Sequence, residues 1–128
     1  MIALLDTNAF LRWVEGDDKL SAKAKSCIAN PDNEILVSVV VAWELAIKSG
    51  QGGIKLAQPV GRYVASHIEA NGFRLLGIEL DDVAAIETLP LHHRDPFDRL
   101  LVAQAKNRKL PVVSSDRAFS DYGIKRIW

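Results

Sequence analysis

Short apolar runs followed by helically spaced positions recur along the chain, with polar breaks between them. Ile2-Ala-Leu-Leu5 suits a buried parallel strand, and Asp6-Thr7-Asn8 interrupts it. Ala9 to Glu15 reads as a helix stopped by Gly16. Ser21 caps a second helix to about Ala29, before the turn Asn30-Pro31-Asp32-Asn33. Glu34 to Val37 is a second buried strand. Ser38 then caps a helix to Lys48, although Val39-Val40-Val41 is β-like by propensity, and Gly50, Gly52 and Gly53 close it. Helical spacing returns from Val60 to Ala70, with Asn71-Gly72 as the stop. Phe73 to Leu80 is strand-like, and Asp81 to Leu89 is a short helix opened by acids. Asp95 as N-cap and Pro96 at the first helical position begin a helix to about Lys109. Leu110 to Val113 is a third buried strand, and Ile124 to Trp128 adds an edge strand. This alternation predicts an α/β sandwich, a parallel central sheet of four to five strands with helices on both faces.

A length of 128 residues predicts a single domain spanning 1–128, because two independent cores would leave each with too few residues. Sixteen basic and sixteen acidic side chains cancel, which excludes the simplest nucleic-acid signature, a strongly basic domain. The charges are unevenly placed. Residues 94 to 128 hold eight basic and four acidic side chains, leaving eight and twelve for residues 1 to 93. That offset fits two surfaces with different partners, and fits chance placement equally well. The lone Cys27 predicts no internal disulfide, and no Cys/His grouping suggests zinc. Asp6 interrupts the first apolar run too early for a signal peptide, and no run reaches a membrane span of about 20 residues. The expectation is a cytoplasmic protein with no membrane partner.

Ligands of open parallel sheets sit beyond the carboxyl ends of the strands. Asp6 directly follows the first strand and Asp116 the last buried one, so both are expected at one rim, or else simply as helix caps. Glu44 is bracketed by Val40 and Ile47 on one side and Val41 on the other at about 100° per residue, which points it inward. Its bland alternative is an i,i+4 pair with Lys48. Asp98 lies mid-arc on an apolar face, with Val102 at about +40° and Leu101 at about −60°. A plain capping pair with Asp95 does not explain that centring. Four like charges in one cleft cannot all stay ionised unaided, whereas a hard divalent cation such as Mg²⁺ relieves them.

At these residues the chain resembles a PIN-domain ribonuclease of the VapC toxin type. The resemblance rests on Leu4-Leu5-Asp6-Thr7-Asn8, Trp43-Glu44-Leu45-Ala46-Ile47-Lys48, His92-His93-Arg94-Asp95-Pro96-Phe97-Asp98-Arg99 and Val112-Val113-Ser114-Ser115-Asp116, with Tyr122-Gly123 to Trp128 as a closing strand. It implies a PIN-like three-layer sandwich in which Asp6, Glu44, Asp98 and Asp116 form a catalytic, metal-binding quartet. Thr7 or Asn8 would orient the first carboxylate, and Ser114 would support from behind. Asp95 matches a further acid, taken as helix cap first and ligand second, and Arg99 is a candidate for phosphate contact or an internal pair. The implied reaction is Mg²⁺- or Mn²⁺-dependent endonucleolytic cleavage of RNA, tRNA and rRNA included, by a metal-bound water. The implied partners are a VapB-type antitoxin and a second copy of the chain.

Several neighbouring residues read differently. The apolar residues Phe10, Leu11, Trp13 and Trp43 are candidates for an antitoxin groove, with core packing preferred for Trp43. His92 and His93 read as ordinary loop residues and His67 as surface. A phosphoacceptor receiver domain is the rival reading, sharing the size, the sheet and an acidic Mg²⁺ pocket. It wants paired acids after the first strand, where this chain has Thr7 and Asn8.

Overall fold

The computed structural model describes all residues, Met1–Trp128. Five strands, β1 (Ile2–Leu5), β2 (Glu34–Ser38), β3 (Arg74–Leu76), β4 (Val112–Val113) and β5 (Arg126–Ile127), form one parallel sheet in the order β3-β2-β1-β4-β5. Seven helices surround it: α1 (Thr7–Glu15), α2 (Ala22–Ala29), α3 (Val39–Gly50), α4 (Val60–Asn71), α5 (Leu80–Ala85), α6 (Pro96–Arg108) and α7 (Ala118–Asp121). A single 3₁₀ turn, Ile86–Thr88, extends α5.

Alternation along the strands assigns the two faces of the sheet. Ala3, Leu5, Ile35, Val37 and Val113 point to one side, where they meet Ala9 and Phe10 of α1, Ala24 and Ile28 of α2, and Tyr63 and Val64 of α4. Leu4, Leu36 and Val112 point to the other, against Leu100, Leu101, Val102 and Ala105 of α6 and Phe119 of α7. Helix α3 serves both layers, giving Val41 and Leu45 to the first and Val40 to the second. The predicted three-layer sandwich is therefore the observed one.

Strand extents depart from expectation. The stretch Phe73 to Leu80 pairs only over Arg74–Leu76, because it lies at the sheet edge and leaves Leu75, Ile78 and Leu80 exposed with no layer above them. Helix α1 begins at Thr7, immediately after Asp6, since the Asp6 carboxylate accepts the Ala9 N–H and nucleates the first turn there. Phe10 is wholly buried, which removes it from any docking groove. Trp43 is the opposite case: 47% exposed, it stands edge-on to Phe97 with ring centroids 4.8 Å apart, outside both cores.

The strand order also decides between the two rival readings. A receiver sheet runs 2-1-3-4-5, whereas here β1 lies between β2 and β4. The strand order reverses between β1 and β4, and the crevice beyond their carboxyl ends is where such a sheet binds ligands.

Candidate functional site

Leu5 pairs with Val113, so the residues that follow β1 and β4 emerge side by side at that crevice. Asp6 is 5% exposed. One carboxylate oxygen accepts the Ala9 N–H at 2.7 Å, and the other accepts the Ser114 hydroxyl. Asp116 follows the same plan, spending Oδ1 on the Ala118 N–H at 2.9 Å and turning Oδ2 toward His93. Both acids are thus helix-turn caps and cleft residues at once.

Glu44 is also 5% exposed. Its Oε1 accepts the Thr7 hydroxyl at 2.7 Å, and its Oε2 accepts Lys48 Nζ at 2.5 Å. The pair with Lys48 exists, yet it does not put Glu44 at the surface: the lysine, 51% exposed, reaches in. Asp98, in the first turn of α6, places Oδ2 3.1 Å from His93 Nε2. The same nitrogen lies 2.8 Å from Asp116 Oδ2, so His93 bridges the last two acids.

The electrostatics tie the four acids into one group. Burial pushes the Asp6 carboxyl up to about 6, against the hydrogen bonds from Ser114 and Ala9, and the charges of Asp116 and Glu44 add to the rise. Burial likewise pushes Asp98 up to about 7, helped by Asp95, Asp6 and Glu44 and opposed by His93. Lys48 is raised above the ordinary lysine value, first by its hydrogen bond to Glu44 and further by the charges of Asp95 and Asp98. Asp98 and Asp116 bring carboxylate oxygens together within 4.8 Å beside His93, and Asp6 and Glu44 stand near enough to act on them by charge. Carboxylate oxygens are the donors that hard divalent cations take. The residues fit Mg²⁺ or Mn²⁺.

The supporting residues divide. Ser114 is buried and bonded to Asp6, whereas buried Thr7 bonds Glu44 and not the first carboxylate, because α1 turns its hydroxyl toward α3. Asn8 is exposed and makes no side-chain hydrogen bond to the cluster. Asp95 caps α6, its Oδ1 accepting the N–H groups of Phe97 and Asp98. Arg99 is the internal-pair alternative, its guanidinium donating to the carbonyls of Leu89, Pro90 and His93 and to Tyr122 Oη. It pins the loop before α6, because a fork of five donors can satisfy several orphan carbonyls. His93, read from sequence as loop, sits among the acids. The available hint was its position two residues before the cap Asp95, whose N–H reaches back to the ring.

The profile of the PIN domain family matches residues 3–125. A search among curated proteins finds no significant match. Among solved structures, VapBC2 of Rickettsia felis bound to a promoter DNA fragment is similar at TM-score 0.70 and 14% identity, over 100% of both chains. VapBC-1 of nontypeable Haemophilus influenzae is similar at TM-score 0.66 and 16% identity, over 98% of this chain and 96% of that one. FitAcB of Neisseria gonorrhoeae gives 0.60 and 19%, with the same coverage. With nearly its whole length matched by the family profile and an acidic crevice at the β1–β4 switch point, the chain belongs to the PIN domain family.

Proposed function

We propose that the chain is the toxin of a toxin–antitoxin pair, an endoribonuclease that hydrolyses RNA phosphodiesters at the crevice beyond β1 and β4. Asp6, Glu44, Asp98 and Asp116 would hold Mg²⁺ or Mn²⁺ there. The observation that carries this reading is the gathering of acids at one rim, where burial first and neighbouring acids second raise Asp6 to about 6 and Asp98 to about 7. Such a group is costly to fold and is relieved when a cation binds. A bound divalent ion supplies Lewis acidity toward water and the scissile phosphate, and cancels the repulsion between the acids and that phosphate.

The chain's own side chains do the rest. The Ala9 N–H and the Ser114 hydroxyl hold the Asp6 carboxylate at both oxygens. Thr7 holds Glu44 from α1, which locks α3 to the rim. Lys48 leaves positive charge at the open side of the crevice, where a phosphate would approach. The basic residues of the final third, Arg94, Lys106, Lys109, Arg117 and Lys125 among them, supply contacts for the RNA backbone. The similar structures named for VapBC and FitAcB support an antitoxin partner, and a second copy of the chain is part of the same proposal.

Purified protein should cleave RNA when Mn²⁺ or Mg²⁺ is present and stop when EDTA is added. Cleavage that survives full chelation, or a protein inert toward tRNA, rRNA and mRNA at any divalent-ion concentration, overturns the proposal. Expression of the chain alone should arrest growth, and co-expression of its antitoxin should restore it.

A further inference from the structure

We propose that His93 is a positioning residue of the acidic cluster, a hydrogen-bond donor of locked tautomer that holds Asp98 and Asp116 at one point without itself ligating the cation. The inference rests on the cation-binding reading above and adds a residue that reading does not use.

The ring's two nitrogens face chemically different partners. Nδ1 receives the Asp95 backbone N–H at 3.0 Å, and a nitrogen that accepts a hydrogen bond carries no proton. The ring's proton therefore lies on Nε2, where two carboxylate oxygens, Asp116 Oδ2 at 2.8 Å and Asp98 Oδ2 at 3.1 Å, accept it. Nε2 so protonated has no lone pair for a cation. Freeing that lone pair would move the proton to Nδ1 and set two donors against each other at the Asp95 N–H.

The loop resists that exchange. The His93 N–H donates to Tyr122 Oη at 2.9 Å, and its carbonyl accepts Arg99 at 3.3 Å. The Asp95 peptide is fixed in turn, because its side chain caps α6. His93 is therefore clamped from both sides with Nε2–H aimed into the cluster. Each carboxylate oxygen has two lone pairs, so a donor on one side leaves others free for a cation. Hydrogen-bonded partners behind ligating groups typically account for about 10–100-fold in metal affinity.

Two spectroscopic readouts and one binding series test this. Long-range ¹⁵N–¹H imidazole spectra of the metal-free protein, assigned by loss of signal in His93→Ala, should show the proton on Nε2 and an unprotonated Nδ1. Pulsed EPR of the Mn²⁺-loaded protein should show no imidazole nitrogen bonded directly to the ion. His93→Ala should bind Mn²⁺ about tenfold more weakly, and His93→Gln, whose amide still donates, should recover most of that loss. A directly coordinated imidazole, a proton on Nδ1, or a His93→Ala protein that binds Mn²⁺ like the parent overturns the proposal. If His93→Ala does not fold, failure of His93→Gln to bind Mn²⁺ near the parent affinity overturns it instead. A parent protein that binds no Mn²⁺ defeats the cation reading itself, and this role falls with it.

Discussion

Helix α6 meets an aspartate at each end, and the two are settled in opposite ways. Near its C-terminus, Arg108 grips Asp82 of α5 through both oxygens at 2.7 and 3.0 Å, while Asn107 and the Glu79 N–H add further bonds. Burial pushes the Asp82 carboxyl up, but these partners together pull it below the ordinary aspartate value. Near the N-terminus, burial drives Asp98 up to about 7, and the charges of Asp95, Asp6 and Glu44 add to the rise. The residue type is the same, and both acids lie against α6, Asp98 on it and Asp82 beside it on α5. Asp82 has an arginine and two further donors within the chain, whereas Asp6 and Asp98 have only neutral donors or a histidine and stand among other acids. An acid satisfied by its own fold holds structure together, and an acid left raised is available to a ligand.

Substitutions at the two ends should therefore separate activity from stability. The largest effect is expected from Asp98→Asn and Asp6→Asn. Each should lower RNA cleavage by about a thousandfold, the equivalent of several kcal/mol of lost cation chemistry, with no loss of thermal stability in EDTA. Asp82→Asn should do the reverse. Breaking its pair with Arg108 should remove about 3 kcal/mol of stability, seen as a lower urea midpoint, with cleavage per folded molecule retained. Equal effects on activity at both ends would erase the distinction.

Cation binding offers a third contrast. Mn²⁺ at about 100 times its Kd should stabilise the protein by about 2.7 kcal/mol, read as a rise in Tm, and should do little for Asp98→Asn. The pH dependence in EDTA should carry opposite signs at the two ends. Asp6 and Asp98 have folded-state values above their unfolded ones, so the stability they contribute is complete below about pH 4 and is lost as pH rises through 6 to 7. Asp82 lies below its unfolded value, so its contribution is present above about pH 4 and is lost as pH falls. A Tm gain from Mn²⁺ that is larger at pH 5 than at pH 7.5 would contradict the first of these. The smallest effect is expected from Ser114→Ala, which removes one hydrogen bond to Asp6 and should cost about tenfold in cleavage, from roughly 1–2 kcal/mol.

Much of this was legible in the chain. Buried strands announce themselves by apolar runs, and Asp6 and Asp116 declare their rim simply by following two of them. Glu44 and Asp98 were found because a charge centred on an apolar helical arc points inward. Trp43 departs from expectation for a related reason: an aromatic beside an inward acid reads as core, but one step of about 100° carries it outside. Arg99 offered a phosphate ligand by residue type and turned out to be occupied by loop carbonyls. Asp82 looked like one of several acids opening a helix, and nothing near it in sequence named Arg108 as its partner.

By itself, then, the sequence determined the order of strands and helices, the two faces of the sheet, the rim of Asp6 and Asp116 and the inward direction of Glu44 and Asp98. These follow from periods of about 2 and 3.6 residues, which any short window displays. Only the tertiary structure decided that Ser114 holds Asp6 across 108 residues, that Arg108 neutralises Asp82, and that His93 stands between Asp98 and Asp116. Those contacts depend on where β4 and α6 settle after the crossover, and packing sets that placement with no trace in local spacing.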